Sequence, residues 1–171
     1  CAVTAYASTM DTIPEGTILT LAKGNGTVQV ALVKHNYESG LNGNGRNLML
    51  QMGFESVRRW NEDKGKSYTS RNDVSDNYDD SELYSWVNGT CPTSFSDSIR
   101  SKMGDTAITT YFTTFSYDDE DNKAYHYDSY KTIRRKAFVL SATELGENKS
   151  TPDLPHEGSS LSNIASLYYT I

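Results

Sequence analysis

Alternating apolar and polar positions mark the first clear structural element of the chain. In Thr17–Lys23 and Thr27–His35 the two kinds of residue alternate and β-branched side chains are frequent, which is typical of strands with one buried face. The two segments are separated by Gly24-Asn25-Gly26, a sequence that favours a tight hairpin turn. The pattern therefore predicts a β-hairpin, with Asn47–Gly53 as a third strand after a loop rich in glycine and asparagine.

A short helix is predicted in the segment DDSELYSWVNGT. Asp79 and Glu82 have the spacing of a capping box, in which each side chain accepts a hydrogen bond from the backbone N–H of the other. Gly89 is predicted to end the helix, because glycine is common just after a last helical turn. Three side chains recur at helical spacing and are expected to pack into the core: Leu83, Trp86 and Val87.

The second half of the chain contains further helix and strand patterns. Phe95–Met103 has an apolar residue at every fourth position and predicts a second short helix. Thr106–Tyr117 is dense in threonine and aromatic residues and predicts one or two strands. The acidic, tyrosine-rich residues 118–130 are predicted to form an excursion from the sheet, and Lys136–Ser141 a buried strand.

These elements together indicate an α+β fold, a twisted antiparallel sheet with two short helices packed on it. The length of 171 residues suits one domain with its own core. Residues 11–171 are predicted to form this domain, and residues 1–10 an N-terminal arm or linker.

Charge and cysteine content narrow the classes of function. The net charge of −6 argues against nucleic acid as the main partner, because phosphate binding needs a basic surface. No apolar run is long enough for membrane insertion. Cys1 and Cys91 are expected to be free thiols, with a disulfide between them as the alternative, and they are too few for a zinc site. We expect no metal and no cofactor. The basic residues 131–136 and the acidic residues 118–121 are interpreted as solvated faces or as a mutual pair.

Ser141 raises the question of catalysis. It precedes Glu144 by three positions, which is the spacing of a capping box. A nucleophile elbow favours glycine at both second neighbours of the serine, and here those positions hold Val139 and Thr143. We therefore expect no catalytic residue and a Ser141 that caps a turn, a role in which aspartate would replace it. A hydrolase using Ser141 stays an alternative that would need one of three histidines: His35, His126 and His156.

The chain contains 12 tyrosines, an amphipathic residue that suits both strand faces and recognition surfaces. Tyr125, Tyr127 and Tyr130 lie close together in the sequence, and Trp60 lies in a polar neighbourhood. These four residues are the candidate ligand-binding residues of a carbohydrate-binding module with an aromatic platform. The alternative is that the tyrosines fill strand faces.

Three motifs occur in order along the chain: Ile13–Ile18 with Val33–Tyr37, Ser81–Asn88, and Ala137–Gly146. Together they resemble an uncharacterised domain family of gut-type Gram-positive bacteria and of structural proteins of their phages, with WLN, FLLS-x-x-E and W-x-R-S motifs. The layout also resembles C-type-lectin-like folds. The resemblance implies a non-enzymatic module of a virion (head-fibre, decoration or tail protein) or of an extracellular surface. Its partners would be other copies, other virion or surface proteins, or glycans.

The closing motif of this family is present only in part. Leu167–Ile171 resembles the start of that motif, and the position of its arginine holds Ile171. The resemblance implies further closing strands. We therefore expect an open sheet edge near the C-terminal residues, completed by another chain, a swapped segment or further sequence.

Overall fold

The computed structural model describes residues 2–5, 10–53, 78, 81–118, 123–146, 157–161 and 164, with the backbone alone for 3–5, 112–118 and 123–128. In chain order, the elements are β1 (Ala2–Ala5), a 3₁₀ turn (Met10–Thr12), β2 (Ile18–Lys23), β3 (Gly26–Lys34), α1 (Ser39–Asn42), β4 (Asn47–Gln51), α2 (Glu82–Thr93), α3 (Asp97–Arg100), β5 (Thr106–Asp118), β6 (Lys123–Arg135) and β7 (Ala137–Phe138).

Antiparallel strand pairing organises the described residues into two sheets. Five strands pair in the order β2-β3-β4-β1-β7, and β5 and β6 form a separate two-stranded hairpin. The α+β fold with antiparallel sheets and short helices is thereby confirmed. The hairpin predicted from the alternation at the start of the chain is β2–β3, in which Ile18 lies opposite Ala31 and Lys23 lies opposite Gly26.

The five-stranded sheet is buried on both faces at its centre. Along β3, Val30 and Leu32 belong to a core cluster with Val87 of α2, whereas Ala31 and Val33 belong to a cluster with Ile108 of β5. Successive side chains of a strand point to opposite faces, so four consecutive buried positions require cover on both sides. The sheet therefore lies between a layer containing α2 and a layer containing the β5–β6 hairpin.

Helix α2 differs from its sequence prediction at both ends. Its N-cap is Ser81, whose Oγ accepts from the backbone N of Tyr84 at 3.0 Å, rather than Asp79, which lies outside the described residues. The helix also continues through Gly89 to Thr93. Val87 and Cys91 are four positions apart and both buried, so burial of this face outweighs the terminating tendency of glycine.

Tertiary pairing recruits two segments that the sequence pattern assigned outside the sheet. Ala2–Ala5, within the predicted arm, is a strand between β4 and β7, with Ala2 opposite Leu50 on one side and Phe138 on the other. The predicted excursion is also wrong in its second part, because residues 123–130 belong to β6 and pair with β5 in an unbroken register. A strand of four residues and a polar edge strand both lack a strong local signal.

The register of the β5–β6 hairpin separates the acidic and basic runs. Asp118 lies opposite Lys123 at one end, and Thr110 lies opposite Lys131 nearer the other. Eight residues of extended strand span roughly 27 Å. Asp118 is therefore too far from Lys131 to form an ion pair with it, as the interpretation of the acidic and basic runs as a mutual pair would require.

Two further sequence expectations are corrected in part. Helix α3 is confined to Asp97–Arg100, although Phe95 and Met103 are buried as predicted. Cys91 is disulfide-bonded rather than a free thiol, and the one other cysteine in the sequence is Cys1. The predicted open edge at residues 167–171 lies outside the described residues. In the described part of the chain, no helix is long and apolar enough to cross a membrane.

Candidate functional site

A pocket of about 250 Å³ lies between β5, β7 and the turn that follows β7. Aromatic rings, aliphatic side chains, hydroxyl groups and two carboxyl groups share its wall. The hairpin that forms one side is held by Asn42, whose side chain donates to the carbonyl of Ala107 at 3.0 Å and accepts from its N at 2.7 Å. The lining residues used below are Tyr37, Thr110, Tyr111, Phe138, Glu144 and Glu157.

Ser141 and Glu144 form the capping box that their spacing predicts. Ser141 Oγ accepts from the backbone N of Glu144 at 3.2 Å, and Glu144 Oε2 accepts from the backbone N of Ser141 at 2.8 Å. In addition, Ser141 Oγ donates to the carbonyl of Glu157 at 2.5 Å. The cap hypothesis is confirmed, and the structure adds a donor function that the sequence did not indicate.

Glu144 is a carboxyl group buried in the pocket wall, only 3% exposed. Its Oε1 accepts from the hydroxyl of Tyr37. Burial raises the pKa of Glu144 although its hydrogen bonds to Tyr37 and Ser141 act in the opposite direction. Burial and the neighbouring Glu144 raise the pKa of Tyr37 as well. The phenol therefore stays protonated and donates its hydrogen bond to this carboxyl group.

Tyr37 reaches Glu144 from a tightly wound segment between β3 and α1. Its neighbours Asn36 and Glu38 have φ of 51° and 45°, in the left-handed region that non-glycine residues rarely adopt. Asn36 Oδ1 accepts from the backbone N of Gly45 at 2.7 Å, and Tyr37 N donates to the carbonyl of Arg46 at 2.7 Å. Local hydrogen bonds thus hold a strained backbone that presents one side chain to the pocket.

Residues 157–161 are fixed against the turn by bonds to its side chains and backbone. The backbone N of Glu157 donates to Thr143 Oγ1 at 3.0 Å, and the N of Leu161 donates to the carbonyl of Glu144 at 3.0 Å. Gly158 has φ of 74°, and a Cβ there would lie 3.3 Å from Cγ of Glu144. Glycine at this position therefore permits the close approach of the segment to Glu144.

Glu157 and Thr110 place polar groups beside each other in the pocket wall. Glu157 Oε1 accepts from the backbone N of Tyr111 at 2.5 Å, and burial raises the pKa of this carboxyl group. Thr110 is 3% exposed, and its Oγ1 has no hydrogen-bond partner among the residues that the structure describes. The wall thus offers a hydroxyl group from Thr110 of β5 and a carboxyl group from Glu157, which is bonded to the next residue of β5.

The predicted tyrosine platform is only partly visible. Trp60 and the side chains of Tyr125 and Tyr127 lie outside the described residues. Tyr130 is 48% exposed, and its ring meets the ring of Tyr111 edge-on at a centroid distance of 5.8 Å. Of the four predicted residues, the structure therefore places Tyr130 next to a residue of the pocket wall.

The residues of the pocket that the sequence analysis did not single out are Tyr37, Thr110, Tyr111, Phe138 and Glu157. Tyr37 and Phe138 lie within motifs that were noted for their resemblance to a family, which is the signal that could have found them. Glu157 follows a polar loop pattern and Thr110 lies in a threonine-rich strand, so neither position is distinguished locally.

His35, one of the three histidines that a triad could use, is fully engaged elsewhere. Its Nδ1 is 2.8 Å from Asn47 Oδ1, and its Nε2 is 2.8 Å from the carbonyl of Ile13. The bond to Asn47 is the largest of the effects that raise the pKa of His35. The side chain of His126 and all of His156 lie outside the described residues. In the described part, no group of three or more histidine, cysteine, aspartate or glutamate side chains is arranged to hold a metal ion.

Comparison with known proteins gives one match. The profile of a family described as "Domain of unknown function (DUF6273)" matches residues 44–167, a range that contains all the pocket residues except Tyr37. No curated protein and no solved structure matches the chain.

Proposed function

The chain belongs to the DUF6273 family, whose function is unknown. We propose that this protein is a non-enzymatic recognition module of a virion or an extracellular surface. The bonding of Ser141 is the observation that carries this proposal. A serine nucleophile gives its proton to an adjacent general base. Here the hydroxyl donates to the backbone carbonyl of Glu157, which is no base, and accepts from Glu144 N.

The disulfide at Cys91 supports a location outside a reducing compartment. Disulfides persist in secreted, surface and virion proteins and are rare in the cytosol of most organisms. The motif resemblance described above supports the virion or cell-surface setting. We propose in addition that the fold is C-type-lectin-like. Partners in that setting are other copies, neighbouring virion or surface proteins, or glycans. A carbohydrate-binding module is the more specific candidate, and the mixed aromatic and hydroxyl lining of the pocket favours it.

One experiment tests the non-enzymatic character. Purified protein is incubated with chromogenic carboxylic esters, phosphate esters and glycosides, alongside Ser141→Ala and the matched control Ser98→Ala in exposed helix α3. We expect no turnover that Ser141→Ala removes. Turnover that Ser141→Ala abolishes and Ser98→Ala retains, with both variants folded, would establish a serine hydrolase instead.

A second experiment tests the location. Intact cells or purified virions with the full-length protein are first biotinylated with a membrane-impermeant amine reagent. Because Cys91 is buried, the biotinylated protein is then denatured and treated with a maleimide, with and without prior reduction by a phosphine. We expect biotinylation without lysis and labelling of Cys91 only after reduction. Biotinylation only after lysis, or labelling without reduction, would contradict a surface location.

A further inference from the structure

Thr110 places an unbonded hydroxyl group in the wall of the pocket. The residue is almost fully buried, and Oγ1 has no hydrogen-bond partner among the described residues. Buried hydroxyl groups are normally bonded, because an unbonded one has lost its water without compensation. A ligand hydroxyl group in the pocket would satisfy both the donor and the acceptor capacity of Thr110.

Glu157 supplies a second polar group close to Thr110. Its Oε1 is held by the backbone N of Tyr111, the residue that follows Thr110 on β5. The hydrogen bond that affects the pKa of this carboxyl group is the one from Tyr111 N. That bond fixes the carboxyl group, so its other oxygen, Oε2, can bond a ligand group without reorganisation of the side chain.

The remaining wall is apolar and aromatic, and the pocket is small. Tyr37, Tyr111 and Phe138 line it, and Tyr37 stacks on Phe138 at a centroid distance of 5.7 Å. The volume of about 250 Å³ lies below the roughly 300–1,000 Å³ that drug-sized ligands occupy. A single six-membered ring with one apolar face and hydroxyl groups at its edge fits both the size and the lining.

The charge of the lining excludes one class of ligand and disfavours another. Among the lining residues that the structure describes, the ionisable carboxyl groups are Glu144 and Glu157, and none of these residues is basic. An anionic ligand would therefore face two carboxyl groups without a counter-charge. Burial raises the pKa of both carboxyl groups and so favours their neutral form, which weakens the attraction for a cation.

From these observations we propose that the pocket binds one neutral sugar ring, whose hydroxyl groups bond Thr110 Oγ1 and Glu157 Oε2. The apolar face of the ring lies against the aromatic wall of the pocket. This inference rests on the recognition function proposed above and gives it a substrate class and a site.

The test uses the methyl glycosides of glucose, galactose, mannose and N-acetylglucosamine as probes. Binding to the full-length protein is measured by saturation-transfer NMR and titration up to about 50 mM, which detects even millimolar affinity. We expect at least one glycoside to bind. Thr110→Val and Glu157→Gln should each weaken it by roughly three- to tenfold, the change that corresponds to one neutral hydrogen bond.

Two controls separate binding from folding. Thr132→Val makes the same substitution at an exposed position of β6 outside the pocket lining and should leave the affinity unchanged. Thr110→Val removes an unbonded buried hydroxyl group at nearly constant volume, so its melting temperature should equal or exceed that of the wild type. Weaker sugar binding by a protein of undiminished stability is the signature of a ligand contact.

Three outcomes would overturn the sugar site. These are binding of none of the glycosides, glycoside binding that Thr110→Val and Glu157→Gln leave unchanged, and binding of methylammonium in their place. Failure of the recognition function has a different signature: turnover that depends on Ser141, or a reduced Cys91 inside intact cells. The sugar site can therefore fail while the recognition function stands.

Discussion

Replacing Ser141 tests whether its hydroxyl group holds the turn and the segment 157–161 together. The hydroxyl group accepts from Glu144 N at 3.2 Å and donates to the carbonyl of Glu157 at 2.5 Å. Ser141→Ala removes both bonds. It leaves the box half formed, because Glu144 Oε2 still accepts from the backbone N of residue 141.

The size of the effect follows from the number of bonds lost. Each hydrogen bond contributes about 0.5–1.5 kcal/mol, so we expect Ser141→Ala to lower the free energy of unfolding by about 1–3 kcal/mol. This range overlaps the 0.5–2 kcal/mol that is typical of the loss of a cap alone. For a domain of this length the melting temperature should fall by about 2–12 °C.

Ser141→Asp and Ser141→Thr separate the two bonds. Aspartate replaces the cap but cannot donate to the carbonyl of Glu157, and it brings a third carboxyl group beside Glu144 and Glu157. Capping alone predicts that aspartate is an adequate replacement, whereas the additional bond to Glu157 predicts that Ser141→Asp is at least as unstable as Ser141→Ala. Threonine keeps a hydroxyl group and should retain most of the stability.

Urea unfolding followed by circular dichroism measures these differences, with Ser98→Ala as the control at an exposed position. Two results would refute the reasoning. A loss below about 0.5 kcal/mol for Ser141→Ala would show that the hydroxyl group bonds mainly to water. A Ser141→Asp variant as stable as the wild type would show that the bond to Glu157 contributes nothing.

Three further predictions concern pH, packing and the disulfide. Because burial raises the pKa of Glu144 above the usual 4.5, the folded state holds this proton more tightly than the unfolded chain. The stability that Glu144 contributes should therefore be fully present below pH 4.5 and be lost as the pH rises through the raised value, and Glu144→Gln should remove this part of the pH dependence in urea titrations. A Cβ at Gly104 would lie 1.4 Å from Nη1 of the buried Arg46, so Gly104→Ala should lower the free energy of unfolding by about 1–3 kcal/mol. Reduction of the disulfide at Cys91, which within one chain closes a loop of roughly ninety residues, should lower it by about 4–5 kcal/mol.

Each of these predictions has a result that would contradict it. For Glu144 it is a pH dependence of stability that Glu144→Gln leaves unchanged. For Gly104 it is a melting temperature equal to that of the wild type, with Gly89→Ala at an exposed position of α2 as the matched control. For Cys91 it is an unfolding midpoint that is the same with and without reductant.

Elements that depend on neighbouring residues could be predicted from the amino-acid sequence. Alternation and a Gly-Asn-Gly turn are sufficient for the β2–β3 hairpin, and a spacing of three residues is sufficient for the Ser141–Glu144 box. The ordered motifs also indicated an uncharacterised domain family, and the match over residues 44–167 confirms that much. Local pattern failed at Gly89, where the helix continues because the tertiary structure buries Cys91 beyond it.

The pocket, in contrast, is assembled by contacts between residues far apart in the sequence. Tyr37 and Glu144 are 107 residues apart, and the carboxyl group of Glu157 bonds a backbone N–H 46 residues before it. The strand Ala2–Ala5 is likewise defined by its partners β4 and β7 rather than by its own composition. Hydrophobic periodicity predicts which face of a strand is buried but not which strand lies beside it, and the long-range contacts of the pocket depend on that choice of partner.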